Sequence, residues 1–351
     1  MILLFALGLS FILCYISMPS IIRIAFKWGV LDKPAFRKSH KVVTPSIGGV
    51  GIFLASILVS LLLIPTEAME QVRFILAAMT IMFLVGARDD LDPLSPWAKL
   101  VGQLIAISLL IFFADIRLEQ LYGLFGIYDL TYGTSVVLTT LLFVYLINSF
   151  NLIDGIDGLC SSISILALIV MGTWFFLNGL AAYAIIAFTT AGATIAFLKY
   201  NISPSKVFMG DTGSLVLGTI CTTLILELLR VNSYASVFTF DSAVIFGIGL
   251  FILPAFDTLR VFTIRLLKGR SPLLPDDNHL HHLLLKIGLT HMQATSLLVS
   301  VNAMFLFLAM QCQHFSPTAF LLTALSLAIA MTMMLHLTLY MQEQSSLRTD
   351  P

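Results

Sequence analysis

Charge is what this chain has least of: 11% of its 351 residues are Asp, Glu, Lys or Arg, against 58% hydrophobic. A soluble domain of this size needs a far larger polar share to cover its surface. The composition therefore excludes an ordinary globular protein and implies a polytopic membrane protein. Cysteine is scarce too. The four present (Cys14, Cys160, Cys221, Cys312) form no CxxC pair and sit in apolar stretches, so they supply no disulfide framework. No basic residue precedes Arg23, so the opening apolar run lacks the charged region of a signal peptide and reads as a retained first span. Internal repeats are missing, as is any linker long enough to separate domains. Residues 1–351 read as a single integral membrane domain.

Long apolar runs are what the chain has in abundance. A helix needs about 17–25 such residues to cross the hydrocarbon core. Eleven stretches qualify, near 2–22, 46–65, 71–87, 97–114, 133–150, 158–177, 180–198, 212–229, 243–265, 293–311 and 317–341, with 71–87 and 180–198 the shortest. The expected fold is all-α. An odd number of spans puts the termini on opposite sides and sorts the loops into two sets. One set, with the adjoining span ends, carries sixteen of the nineteen Lys and Arg residues; the other carries only Arg73, Arg117 and Arg230. The positive-inside rule makes the first set cytoplasmic, with the N-terminus outside and the C-terminus inside.

The same sorting gathers the unusual polar stretches on the cytoplasmic side, in segments 23–45, 86–99, 148–159, 199–214 and 266–292. Asp89 and Asp90 are adjacent, Asp154 and Asp157 are spaced by one helical turn, and Asp211 follows a glycine. Clustered carboxylates at a membrane are costly without a compensating cation or shared proton. Oxygen-rich sets of this kind suit Mg²⁺ or Mn²⁺, which commonly bridge a few carboxylates to phosphates. FMGDTGS (208–214) opens a span, so its amides offer either a phosphate site or a plain helix cap with Asp211 or Thr212 as the capping residue. Asn151 adds an amide carbonyl. Lys41, Arg265, Lys268 and Arg270 offer charge to a diphosphate, although each also serves the positive-inside pattern.

In PDDNHLHHLL (275–284), His279 and His282 share a helical face and His281 points elsewhere. Three roles stay open for them: zinc ligands, which would need further ligands in a tetrahedron, donors to phosphate or sugar oxygens, or interfacial histidines bonded to water and backbone. Asp257 with Arg260 reads as an i, i+3 pair facing the bundle or lining the cleft. A transporter or flippase would hold such a pair near mid-span, in paired repeats that this chain lacks.

The joint pattern is specific. DKP and RKSH (32–40), TPSIGG (44–49), GARDD (86–90), NSFNLIDGIDGL (148–159), KVFMGDTGSL (206–215) and GRSPLLPDDNHLHHLL (269–284) together resemble the polyprenyl-phosphate N-acetylhexosamine-1-phosphate transferases. Within that family the chain is most similar to the bacterial undecaprenyl-phosphate GlcNAc-1-phosphate transferases. The resemblance implies transfer of GlcNAc 1-phosphate from UDP-GlcNAc to undecaprenyl phosphate at the cytoplasmic face of the bacterial inner membrane, with release of UMP. That is the first lipid-linked step of cell-envelope polysaccharide synthesis. Another UDP-N-acetylhexosamine or UDP-MurNAc-pentapeptide is the alternative donor.

The resemblance also implies roles. Asp89 and Asp90 match the catalytic acidic pair, the first acting on the lipid phosphate, while Asn151 and Asp211 match the Mg²⁺ ligands. Asp154, Asp157, Asn201, Phe208, Lys41, His279, His281 and His282 match substrate-binding positions, with Phe208 and Asn201 at the uracil; Arg265 is a further substrate-binding candidate on its charge alone. A homodimer is compatible with the sequence, and nothing in it points to nucleic acid.

Overall fold

The computed structural model describes residues 1–32, 43–269 and 278–349. Its helices are α1 (Ile2–Trp28), α2 (Gly49–Leu63), α3 (Thr66–Leu91), α4 (Pro96–Phe112), α5 (Tyr132–Ile153), α6 (Leu159–Leu177), α7 (Ala181–Asn201), α8 (Gly210–Val231), α9 (Ala243–Leu267), α10 (Leu280–Lys286), α11 (His291–Gln311) and α12 (Pro317–Thr349). Two short hairpins complete it, β1 (Leu31–Asp32) with β2 (Thr44–Pro45) and β3 (Gln120–Leu124) with β4 (Ile127–Asp129). Each expected span has its helix. Among the described residues nine helices are long and apolar enough to cross a membrane, and α2 and α4 are shorter apolar ones. The shortest helices over the expected spans are therefore α2 and α4, not those over 71–87 and 180–198. Those two stretches extend to 26 and 21 residues, because polar end turns that hydropathy discards continue the helix.

Helices start where the local chemistry permits. Ser95 caps α4 by accepting from the Ala98 N–H at 3.2 Å, with Pro96 in the first turn. Thr290 and Gln293 form a reciprocal capping box on α11. Inside α9, Pro254 has no N–H for the Leu250 carbonyl. Asn302 of α11 donates to that carbonyl instead, at 3.0 Å.

The bundle is built around α7 and α8, which are 83% and 89% buried over their most apolar stretches, while α1 and α12 at 28% and 22% lie on the rim. Hydrogen bonds between loops define two ends. At one, Tyr122 Oη donates to the Leu229 carbonyl, Thr318 Oγ1 accepts from the Phe125 N–H, and Asn178 bonds the backbone at Phe238. At the other, Gly158 N–H donates to Asn201 Oδ1 and Thr295 Oγ1 donates to the Asp157 carbonyl. The described acidic and histidine candidates all gather at this second end.

Candidate functional site

The site is organised by the first turn of α8. Met209 precedes that helix and has no side chain able to cap it. The cap comes from another helix. Asp90, in the last turn of α3, accepts from the Asp211 N–H at 2.8 Å and the Thr212 N–H at 2.9 Å, and also from the Thr212 hydroxyl. Three hydrogen bonds converge on this one carboxyl group, each contributing on the order of 1 kcal/mol net, so together they dock α3 on α8. Docking also needs Gly86: a Cβ there would lie 2.5 Å from the Asp211 carbonyl oxygen. Neither Asp211 nor Thr212 is the capping residue that the sequence alone suggests. Asp90 is committed to the helix end.

Asp89 faces the other way. Its Oδ2 lies 3.0 Å from Lys99 Nζ of α4, and its Oδ1 accepts from the Leu94 N–H at 2.8 Å. The same Lys99 ammonium donates to Asp211 Oδ2. Asp211 Oδ1 accepts from Asn151 Nδ2 at 3.0 Å, and that amide also donates to Ser214 Oγ at 2.9 Å. The result is one continuous chain, Asp89–Lys99–Asp211–Asn151, drawn from α3, α4, α8 and α5. Lys99 is the residue that sequence reasoning passed over, counting it only as one more cytoplasmic charge. The signal was its position, since a cation in the first turn of a helix opposes the macrodipole and needs an anionic partner.

Beside this chain lies a cavity of about 340 Å³. Five carboxylates line it, from Asp32, Asp90, Asp154, Asp157 and Asp211, along with Asn151, Asn201, Phe208 and His282. Asp32 and Ser46 are further lining residues that the sequence did not single out. TPSIGG acquires a structural role here: Phe208 N–H donates to the Pro45 carbonyl at 2.7 Å, and Gly48 N–H to the Phe208 carbonyl at 2.9 Å, so this segment braces FMGD. Asn201 lines the cavity with both ends of its amide already engaged, Oδ1 by Gly158 N–H and Nδ2 by the Val207 carbonyl at 3.0 Å.

Asp154 and Asp157 lie in the turn after α5 and not along a helix. Burial first, then the charges of Asp211, Asp90 and Asp157, push the Asp154 carboxyl well above the usual range. Burial alone would raise Asp157 as well. Its pairing with His291, aided by Ser205 and Ser203, outweighs burial and holds it below the usual value.

The histidines divide. Helix α10 begins only at Leu280, so His279 is not on a helical face at all; its Nδ1 meets Asp257 Oδ2 at 2.9 Å, away from the cavity. His281 is buried against Gly155, where an added Cβ would lie 2.2 Å from its Nε2. Burial, then the neighbouring His282, push its pKa down to about 3, so the ring is neutral. Of the three, His282 alone lines the cavity. The expected face shared by His279 and His282 fails because it assumed a helix through residue 279. Lys41 lies outside the described residues.

A second space, a groove of about 620 Å³, opens between α4, α5 and α9. Its walls are mainly apolar, including Trp97, Leu141, Val144 and Phe262, with Lys99, Gln103, Asn148 and Arg265 as polar members. Arg265 thus belongs here and not with the cavity. Asn151 lines both spaces, so cavity and groove meet at the Asn151–Asp211 contact.

Even with Asp154 held protonated, the other lining carboxylates, with no Lys or Arg among the described lining residues, would repel an anionic ligand unless a cation entered with it. Asp211, whose oxygens here meet Lys99 and the Asn151 Nδ2, and the Asn151 amide are of the donor type that would hold Mg²⁺, which takes one or two protein oxygens and completes its shell with phosphates and water. Zinc does not fit. The three histidines point to a buried aspartate, a glycine turn and the cavity, and among the described residues no group of three His, Cys, Asp or Glu could hold a metal.

Residues 72–229 match the model of glycosyl transferase family 4. The chain is 30% identical over 313 residues (87% of this chain, 83% of the relative) to the undecaprenyl-phosphate alpha-N-acetylglucosaminyl 1-phosphate transferase of Salmonella typhi. It is 29% identical over 287 residues (80% and 76%) to the protein of the same name from Yersinia pestis. It is 30% identical over 297 residues (84% and 81%) to a probable undecaprenyl-phosphate N-acetylglucosaminyl 1-phosphate transferase of Bacillus subtilis. The chain belongs to the polyprenyl-phosphate N-acetylhexosamine-1-phosphate transferases, and is a multi-pass membrane phosphosugar transferase most like their bacterial undecaprenyl-phosphate members.

Proposed function

We propose that the enzyme transfers GlcNAc 1-phosphate from UDP-GlcNAc to undecaprenyl phosphate, releasing UMP. The observation that carries this is the meeting of two unlike spaces at Asn151 and Asp211, one small and acidic, the other apolar. A water-soluble nucleotide sugar suits the first, and a prenyl chain the second. An oxygen of the lipid phosphate attacks the sugar-bearing phosphorus, forming a new P–O–P bond. The bond to the bridging oxygen of the donor breaks, and UMP leaves with that oxygen. Mg²⁺ held by Asp211 and Asn151 would neutralise charge on the diphosphate as the bond changes hands.

The chain's own residues have separate tasks. Lys99 and Arg265 attract the acceptor phosphate to the inner end of the groove, and Asp89, beside Lys99, orients it or takes its proton. Asp90 contributes indirectly, by holding Asp211. Phe208 and Asn201 border the place for uracil, and His282 the place for the diphosphate or sugar. Purified enzyme supplied with UDP-GlcNAc, undecaprenyl phosphate and Mg²⁺ should release UMP in step with lipid product. No UMP from any UDP-N-acetylhexosamine would overturn the proposal, whereas turnover with another one alone would reassign the donor.

The end bearing the site faces the cytoplasm in this proposal, because most of the Lys and Arg residues lie there. Cysteines placed at exposed Lys268 and Asp129 should separate the two sides. A membrane-impermeant maleimide added to intact cells should label position 129 and spare 268; the reverse pattern would invert the topology.

A further inference from the structure

Asp257 sits in α9 three residues beyond Pro254 and is buried, at a depth where an unpaired carboxylate is expensive. It is not unpaired. Its Oδ2 accepts from His279 Nδ1 at 2.9 Å; its Oδ1 accepts from the Leu280 N–H at 3.0 Å and from Arg260 Nη2 at 2.9 Å. Arg260 Nη2 donates also to the Asn278 carbonyl. Three consecutive residues, Asn278, His279 and Leu280, are thereby fastened to a single turn of α9.

Helix α10 depends on that fastening. Seven residues are too few to hold a helix by propagation alone. Its N-cap, His279, makes no capping bond with its own side chain, and Asp257 supplies the acceptor from outside. From there contacts run without a gap to the cavity. The His279 and His281 rings lie parallel with centroids 5.6 Å apart, and the His281 and His282 centroids are 4.3 Å apart. His281 closes against Gly155, in the turn that carries Asp154 and Asp157. Movement of His279 would therefore be felt by His282 and by that acidic turn together.

We infer that Asp257 is a positioning residue for the transfer reaction: it fixes α10 so that His282 and the 154–157 turn keep their places around the nucleotide sugar. This rests on the proposed use of the acidic cavity for the donor. The effect should fall on one substrate only. Helix α9, which walls the acceptor groove through Thr258, Phe262 and Arg265, is packed independently against α5, α11 and α12. Losing the Asp257 carboxylate releases α10 and leaves the groove standing.

The test is steady-state kinetics with both substrates varied, for wild type, Asp257→Asn and Asp257→Glu. Glu227→Gln serves as control; it alters a comparably buried carboxylate at the opposite end, where Arg230 lies 2.7 Å from Glu227. Asp257→Asn should lower kcat/KM for UDP-GlcNAc by roughly 100-fold with a raised donor KM, as misplacement of about an ångström does. The acceptor KM should stay near wild type, and Asp257→Glu should recover part of the loss. Glu227→Gln should lower the melting temperature and leave both KM values alone. Should Asp257→Asn fail to fold, His279→Ala, which leaves Asp257 bonded to Arg260 and Leu280, must show the same donor-selective rise. Unchanged KM values with less active enzyme, or an acceptor KM that rises equally, would overturn the inference. Wild type that releases no UMP from any UDP-N-acetylhexosamine would instead overturn the proposed function.

Discussion

Asp211→Asn is expected to lower kcat by roughly 10³-fold while the protein still folds, since removal of a preorganised charge at the reacting centre has effects of that order. The substitution keeps the shape of the side chain. It removes the negative charge that Lys99 Nζ meets at one oxygen and that Asn151 Nδ2 meets at the other, 3.0 Å away. Stability should barely change, because the first turn of α8 is capped by Asp90 through the backbone N–H groups of residues 211 and 212. Turnover and melting temperature, measured on the same preparation, separate the two effects. Turnover near wild type would mean that Asp211 is not at the reacting centre. Loss of folding together with activity would mean that its carboxylate belongs to the helix end, as that of Asp90 does.

That contrast shows what could be read from the sequence. The spans were legible because lipid leaves the backbone no partner outside a helix or a closed barrel, so apolar length alone marks them. The gathering of Asp89, Asp154, Asp157 and Asp211 at one end was legible from the side on which their loops fell. What hydropathy does not encode is which way a side chain points at a helix end. Asp89 and Asp90 are neighbours in sequence and similar in chemistry. A rotation of about 100° between successive helical residues sends one to Lys99 and the other to the start of α8. The histidines turned on a smaller detail still. With α10 beginning at Leu280, His279 falls outside the helix and meets Asp257, 22 positions earlier in the chain. The sequence marked Asp257 and Arg260 as a pair but carried no hint of that third partner. The grouping of residues into an acidic cavity and an apolar groove likewise needs the helix packing, which puts Asn151 on the wall of both.

Lys99→Met should produce the other large effect, and its form is diagnostic. Lys99 Nζ contacts both Asp89 and Asp211, so the three side chains carry one net negative charge (two carboxylates, one ammonium). Methionine leaves two. Carboxylates about 5 Å apart repel by about 3 kcal/mol at an effective dielectric near 20, and a divalent cation relieves that repulsion where a neutral thioether does not. The consequences run in opposite directions. Without the ammonium the acceptor phosphate loses its counter-charge in the groove, and kcat should fall by roughly 10²-fold. Without its competitor at Asp211, Mg²⁺ should bind more tightly, and the Mg²⁺ concentration giving half-maximal UMP release should drop. Lys99→Arg keeps the charge but not the compact ammonium, so it should recover only some of the lost kcat and leave the Mg²⁺ midpoint near wild type. A Mg²⁺ titration of UMP release across the three proteins reads both quantities at once. Wild-type kcat in Lys99→Met would reduce Lys99 to a structural counter-ion. An unmoved midpoint would mean that the ammonium and the metal do not compete for the same oxygen of Asp211, leaving the metal on the Oδ1 that faces Asn151 and the Oδ2 to Lys99.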